Sequence, residues 1–390
     1  MSKGKKFVIG CCITIGIGMV FCLTGFAMGT RVTGVSLGAN GISVYTPQGK
    51  VGEEQEGCQT GEEELEKFDS INMEVDYADV LVQPGEDYGI SYNVDSRCLF
   101  SYEINDGTLV IKESAGKAGF HVGLFNFGYV ENETGKGMII VRLPKGSELS
   151  EVTIDSDYGD VICGDFSAEK LGIDADYGNV ELGRVESKNA SVSLDYGELD
   201  ISSFSGGDLA VQSDYGDITL EDITAGNLKL GLDSGNLETV SVTADNLAVE
   251  NEYGDIVLEE VTAEEIKLNA DSGRISLSEV TADCLAVLSE YGDVKGKGLQ
   301  VGSFTGEISS GDCDVKELEV KNVKLVSEYG DVTLKLQKPL TDYSYQLQTD
   351  YGKVLLGGRD MGENYQSLEQ NDNRVDIFCE SGDVEVQGVE

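Results

Sequence analysis

The stretch Asn246-Leu247-Ala248-Val249-Glu250-Asn251-Glu252-Tyr253-Gly254-Asp255-Ile256-Val257-Leu258-Glu259-Glu260-Val261-Thr262-Ala263 decides the fold. Leu247 and Val249 fall on one face, as do Ile256 and Leu258 beyond Glu252-Tyr253-Gly254-Asp255. A period of two marks strands, and the acidic-Tyr-Gly-acidic tetrad marks the turn between them. Val261-Thr262-Ala263 reads as a second corner, so the unit holds two short strands and two corners. Leu228 and Leu230, Ile266 and Leu268, and Leu285 and Val287 repeat the frame.

Outward from this stretch, the turn glycine recurs as Gly159, Gly178, Gly197, Gly216, Gly235, Gly254, Gly273, Gly292, Gly311 and Gly330, always 19 residues apart. Asp76-Tyr77-Ala78-Asp79-Val80 is a degenerate earlier copy, and Gly352 and Gly382 mark later ones. Strands of a sandwich occupy unlike environments and have no reason to hold such a period, whereas stacked repeats do. One coil cannot bury its own apolar edge, but a neighbouring coil can cover it. The expected fold is all-β: a single-domain parallel β-solenoid, β-helix-like, with 19-residue coils. At about 4.8 Å per coil the stack should be about 55–60 Å long.

A second period lies over the first. Thr243-Ala244-Asp245-Asn246-Leu247-Ala248-Val249 returns 38 residues later as Thr281-Ala282-Asp283-Cys284-Leu285-Ala286-Val287. The residue before the glycine alternates in step: Tyr215, Ser234, Tyr253, Ser272, Tyr291, Ser310, Tyr329. Duplication of a two-coil unit accounts for both.

The chain carries 28 basic and 71 acidic residues, a formal net charge of −43, which repels nucleic acid and attracts cations. A nucleic-acid partner is excluded on that ground. The single histidine, His121, leaves little room for histidine chemistry.

Lys3, Lys5 and Lys6 precede an uncharged apolar run from residue 7 to residue 29, followed by Arg31. That length suits one N-terminal transmembrane helix preceding the solenoid, a signal anchor that leaves residues 1–6 cytoplasmic and the rest outside. Ala27-Met28-Gly29 as a cleavage site and Val8-Ile9-Gly10-Cys11 as a lipoprotein box are the competing readings. Residues 30–67 read as an acidic linker with a short strand at 41–45, 68–150 as an N-terminal cap and first coils, and 151–390 as the regular solenoid. The aromatic insertion between Ser114 and Lys136, with Phe120, Phe125 and Phe127, is expected to shield the first coil. Cys58, Cys98, Cys163, Cys284, Cys313 and Cys379 lack paired spacing and read as buried, reduced thiols.

The Asp-Tyr-Gly-Asp-Val turns, the strand Met138 to Leu143 with its following Pro144-Lys145-Gly146, and the N-terminal apolar segment together resemble the bacterial putative-adhesin family of β-strand-repeat proteins. The resemblance covers about residues 68–388. It implies a bacterial cell-envelope location, of Gram-positive type, and brings no catalytic residues with it.

In-register stacking would turn each repeated residue into a column. Asp157, Asp176, Asp195, Asp214, Asp233, Glu252 and Asp271 precede the Tyr or Ser; Asp160, Glu198, Asp217, Asp255 and Asp293 follow the glycine. Two readings stand side by side. Calcium could bridge Asp214, Asp217, Glu252 and Asp255, since it takes several carboxylate oxygens. Alternatively, the first acid accepts turn N–H groups, the second faces water, and the glycine holds positive φ. No other cofactor is expected. The column Tyr158, Tyr177, Tyr196, Tyr215 is either a stabilising ladder or a platform for a sugar ring or a partner. Basic residues are scattered (Arg184, Arg274, Lys353, Arg359), and no nucleophile–base pair stands out.

The sequence thus points to a membrane-anchored extracellular β-solenoid that acts as a non-catalytic, adhesin-like binding or structural module of the envelope. Its partner would be an envelope protein or a glycan. The alternatives are an envelope-stress regulator working through a membrane partner and a polysaccharide-active enzyme.

Overall fold

The computed structural model describes residues 34–38, 41–46, 49–51, 58–114, 137–368 and 371–389. Two units emerge: Met1–Gln59 with Asp95–Leu99 and Ala115–Gly135, and Thr60–Val94 with Phe100–Ser114 and Lys136–Glu390. In the first, Gly34–Gly38, Gly41–Thr46 and Gly49–Val51 form a three-stranded antiparallel sheet within the range read as a linker. The apolar segment 7–29 and the insertion 115–136 lie outside the described residues. Among the described residues, no helix is long and apolar enough to cross a membrane. The second unit is all-β, a parallel solenoid.

Its regular strands run Val180–Tyr196, Leu199–Tyr215, Ile218–Ser234, Leu237–Tyr253, Ile256–Ser272, Ile275–Tyr291, Val294–Ser310 and Cys313–Tyr329. Each pairs in parallel with the next at a constant offset of 19, as in Ile256↔Ile275 and Leu268↔Val287. The constant offset makes every inward side chain stack on its own equivalent. Leu228, Leu247, Ile266, Leu285, Phe304 and Val323 form one such buried column. A Leu, Val or Ile buried in this way contributes about 1.5–3 kcal/mol, and the column repeats that gain at every rung.

One coil has three sides rather than two. In Ile256–Ser272 the buried positions are Ile256 and Leu258, then Val261 and Ala263, then Ile266, Leu268 and Ala270. Two outward residues in succession, Glu259-Glu260 and Glu264-Glu265, break the alternation at each bend. Val261-Thr262-Ala263, expected as a corner, is therefore a strand side with Thr262 outward. Glu260 turns the first bend with φ of 54°, and Asp222, Ser241, Glu279, Gly298 and Glu317 do the same in their own coils.

Both ends depart from sequence order. At the first end, Ser70–Val75 lies between Thr108–Ser114 and Glu148–Ser156. Asp79–Gly85 likewise lies between Met138–Pro144 and Val161–Cys163. At the other end, Asn373–Ser381 is inserted between Cys313–Tyr329 and Tyr343–Tyr351. Each outermost rung is then covered by antiparallel strands, Gly89–Asp95 on Met138–Pro144 and Asn364–Gln366 on Tyr343–Tyr351. An antiparallel cover consumes the ladder groups that another parallel coil would use, which blocks end-to-end growth. Glu113 completes the first end: its buried carboxylate accepts the N–H of Tyr77 at 2.8 Å.

The cysteines divide. Cys163, Cys313 and Cys379 are buried, and desolvation pushes the Cys163 and Cys313 thiols up to about 12. Cys284 and Cys58 are exposed, against the expectation of burial.

Candidate functional site

The turn tetrad builds one continuous surface. Its glycine is fixed by close approach. A Cβ on Gly254 would overlap the carbonyl oxygen of Gly235, and the same overlap recurs at Gly197, Gly216, Gly235, Gly273, Gly292, Gly311 and Gly330. Gly254 has φ of 138°, as expected. Gly159 and Gly178 fall outside the positive-φ group, yet a Cβ there would strike the carbonyls of Ala78 and Gly159. Packing against the neighbouring rung, more than φ, demands glycine. Behind several turns a buried hydroxyl donates to the glycine carbonyl, as Ser289 does to Gly292 at 3.2 Å.

The acidic residue after the glycine works in the reverse of the expected way. It does not simply face water: its side-chain oxygen accepts the backbone N–H of its equivalent in the next rung. Asp160 accepts from Asn179 at 3.0 Å, Asp217 from Asn236 at 2.7 Å, Asp255 from Arg274 at 2.8 Å and Asp312 from Asp331 at 2.8 Å. Asn179 and Asn236 serve equally, accepting from Glu198 and Asp255. The acceptor oxygen is what matters, and the sequence reading missed the asparagines by following charge. Asp293 also takes a hydrogen bond from Lys295, which with the Asp312 N–H holds its carboxyl below the usual range.

The acidic residues before the tyrosine form a like-charged column. Asp157 is raised, first by desolvation and then by Asp76 and Asp176; Asp214 is raised in the same way, with Asp233 and Asp195 as its neighbours. Asp214 and Glu252 stand two rungs apart with Asp233 between them, as do Asp217 and Asp255 with Asn236 between them. That separation is about 10 Å by strand spacing, whereas calcium holds its oxygens at about 2.3–2.6 Å. Among the described residues, no group of three or more His, Cys, Asp or Glu side chains is placed to hold a metal ion.

Between the two acidic columns runs the tyrosine column. Tyr77, Tyr158, Tyr177, Tyr196 and Tyr215 stack face to face, with successive centroids 5.4, 5.2, 5.1 and 4.9 Å apart and ring planes within 7°. The column then continues in register as Ser234, Tyr253, Ser272, Tyr291, Ser310 and Tyr329. The basic residues stay scattered: Arg274 and Lys353 follow turn glycines, and each donates its backbone N–H to an aspartate of the adjoining rung. The hollows beside the columns, such as the one of about 490 Å³ lined by Ile162, Glu181, Asp200 and Thr219, are open surface depressions.

The second unit is thus a parallel solenoid of stacked repeats with an exposed aromatic column between two acidic ones. The chain belongs to the Toastrack DUF4097 family, whose profile matches residues 68–239 and again residues 226–387. This agrees with the putative-adhesin resemblance carried by the turns. No curated protein matches the chain. Among solved structures it is similar to a putative lipid binding protein from Parabacteroides distasonis ATCC 8503, at 19% identity over 70% of this chain and 96% of that one, with a TM-score of 0.34. It is also similar to a putative adhesin from the same organism, at 12% identity over 72% and 98% of the two chains and a TM-score of 0.30. A third, a putative adhesin from Bacteroides fragilis NCTC 9343, shares 12% identity over 85% and 97%, with a TM-score of 0.20.

Proposed function

We propose that this protein is a non-catalytic binding module of the bacterial cell envelope, anchored by residues 7–29 with residues 1–6 cytoplasmic and the solenoid outside. Residues 30–67 tether it, 68–150 begin it and 151–390 carry the regular array. The observation that carries this reading is the exposed tyrosine column flanked on both sides by carboxylates, which offers a continuous contact surface. The uncharged 23-residue run behind a basic flank supports the anchor.

The test is a crosslinked pull-down of the full chain from its own cells, compared with a chain carrying Tyr158→Ala, Tyr177→Ala and Tyr196→Ala. One or more envelope partners should be captured by the first and lost by the second. Equal capture by both chains would remove the column from the account. Protease added to wall-free cells should cut the solenoid and spare the membrane-embedded stub; a protected C-terminus would overturn the topology.

A further inference from the structure

The gaps in the tyrosine column have the dimensions of binding slots. In space the second half reads Tyr215, Ser234, Tyr253, Ser272, Tyr291, Ser310, Tyr329, Ser381, Tyr351. The last three are instructive. In sequence the order is Tyr329, Tyr351, Ser381, which breaks the alternation. Insertion of Asn373–Ser381 between the other two strands places Ser381 between the tyrosines and restores it. Duplication of a two-coil unit explains alternation along the chain, but not alternation that survives a change of strand order. The pattern belongs to the surface.

Dropping every second ring leaves tyrosine faces about 10 Å apart, twice the strand spacing. That is the room one stacked ring takes between its neighbours in the continuous ladder. Tyr253, Tyr291 and Tyr329 are 61%, 64% and 58% exposed, against 48%, 50% and 47% for Tyr158, Tyr177 and Tyr196. The difference fits ring faces that the ladder covers and the gaps leave open. A half-buried serine floors each gap: Ser234, Ser272, Ser310 and Ser381.

Charge selects the occupant. The residue before each Tyr or Ser in this stretch is Asp or Glu at every rung but one, Ser309. Glu252, Asp271 and Glu290 thus edge the slot over Ser272. The nearest cation in sequence, Arg274, lies beyond the turn glycine, with Nη1 3.9 Å from Asp255 Oδ2. A group at mid-slot would sit about 5 Å from both ring centroids, inside the cation–π range of about 6 Å. A guanidinium is planar, stacks on both faces and presents its N–H edge to carboxylates; an ammonium does only the last.

Building on the binding role proposed above, we infer that the four gaps are arginine slots that read a partner polypeptide. The slots recur about every 10 Å. Polyproline II places every third residue on one face at about 9.3 Å, whereas a β-strand turns every third residue to the opposite face. The partner segment is therefore extended in polyproline II form, with arginine at every third position.

The test uses the full chain in detergent micelles and a labelled (Pro-Pro-Arg)₄ peptide in physiological salt, with (Pro-Pro-Lys)₄ as control. The arginine peptide should bind at least about ten-fold more tightly. Tyr291→Ala, which opens two slots into one, should weaken binding about ten-fold, and Tyr291→Phe should not. Ser272→Tyr with Ser310→Tyr fills two slots by extending the ladder; it should cut binding while leaving the melting temperature equal or higher. Equal affinity for the two peptides, or full binding by the filled chain, overturns the slots. So does a neutral glycan that displaces the arginine peptide from them. The pull-down separates the two levels. A native partner captured equally by the filled chain overturns the slots alone, and an empty pull-down with the unaltered chain overturns the binding role itself.

Discussion

The α-carbon of Gly254 lies so close over the carbonyl oxygen of Gly235 that no side chain can stand between them. The relationship repeats along the column, with each turn glycine seated on the one before. It brings the turns to full strand spacing, and the tyrosine and carboxylate columns follow from it.

Gly254→Ala and Gly178→Ala should therefore destabilise the solenoid alike, each by about 3 kcal/mol, because both place a methyl against a neighbouring carbonyl. Only Gly254 has positive φ. Urea melts of the two variants decide between the causes; a neutral Gly178→Ala would return the requirement to φ.

The acceptor column makes a prediction about chemistry rather than charge. Asp255→Ala removes the acceptor of the Arg274 N–H and should cost about 1 kcal/mol. Asp255→Asn should be close to neutral, since Asn236 already performs the same task one rung earlier. If the two substitutions cost the same in thermal melts, carboxylate charge is the operative quantity and the acceptor account fails.

Tyrosines of the two halves of the column should differ in what they hold together. Tyr177→Ala removes two stacked pairs, with Tyr158 and Tyr196, and should cost about 1–2 kcal/mol. Tyr291→Ala has serines on either side and should cost well under about 0.5 kcal/mol, as for an exposed surface change. Equal losses would mean that stacking adds nothing to the array.

The carboxylate column predicts a pH dependence. The Asp157 carboxyl is raised above its ordinary value by desolvation and by Asp76, Asp176 and Asp155. A folded-state pKa above the unfolded one means that the folded state prefers the proton. The benefit is fully present below the unfolded pKa and is lost as pH rises through the folded pKa. Asp157→Asn should accordingly raise the melting temperature at pH 7 and leave it unchanged at pH 3. A rise of equal size at both values would point to a cause other than ionisation.

Thiol accessibility checks the inward and outward assignment in one measurement. In the native chain Cys284 should react with a maleimide within minutes, while Cys163 and Cys313 react only after unfolding. Peptide mapping reads each site separately, and early labelling of Cys313 would contradict its burial.

The sequence by itself determined the parallel stack, the 19-residue offset and the turn glycines. One exact period lets each rung match all of its apolar residues to those of the rungs 19 residues before and after it. The three-sided coil was less legible. Glu259-Glu260 and Glu264-Glu265 mark the bends, but Val261-Thr262-Ala263 keeps the two-residue alternation of a strand, and a corner cannot be told from a side without knowing where each coil closes. The acceptor column was hidden because its partners are backbone N–H groups 19 residues away, to which side-chain identity gives no clue.

Only the tertiary structure decided the order of the end rungs. Strand pairing depends on which edge is free when a segment arrives, and the sequence of Asn373–Ser381 suits the face of Cys313–Tyr329 as well as that of Tyr343–Tyr351. The insertion, with Ser381 between Tyr329 and Tyr351, satisfies both faces at once and leaves the outermost rung to be closed by an antiparallel cover. It also sets the last slot of the tyrosine column, which no reading along the chain could place, because the residues that form it are neighbours only across the stack.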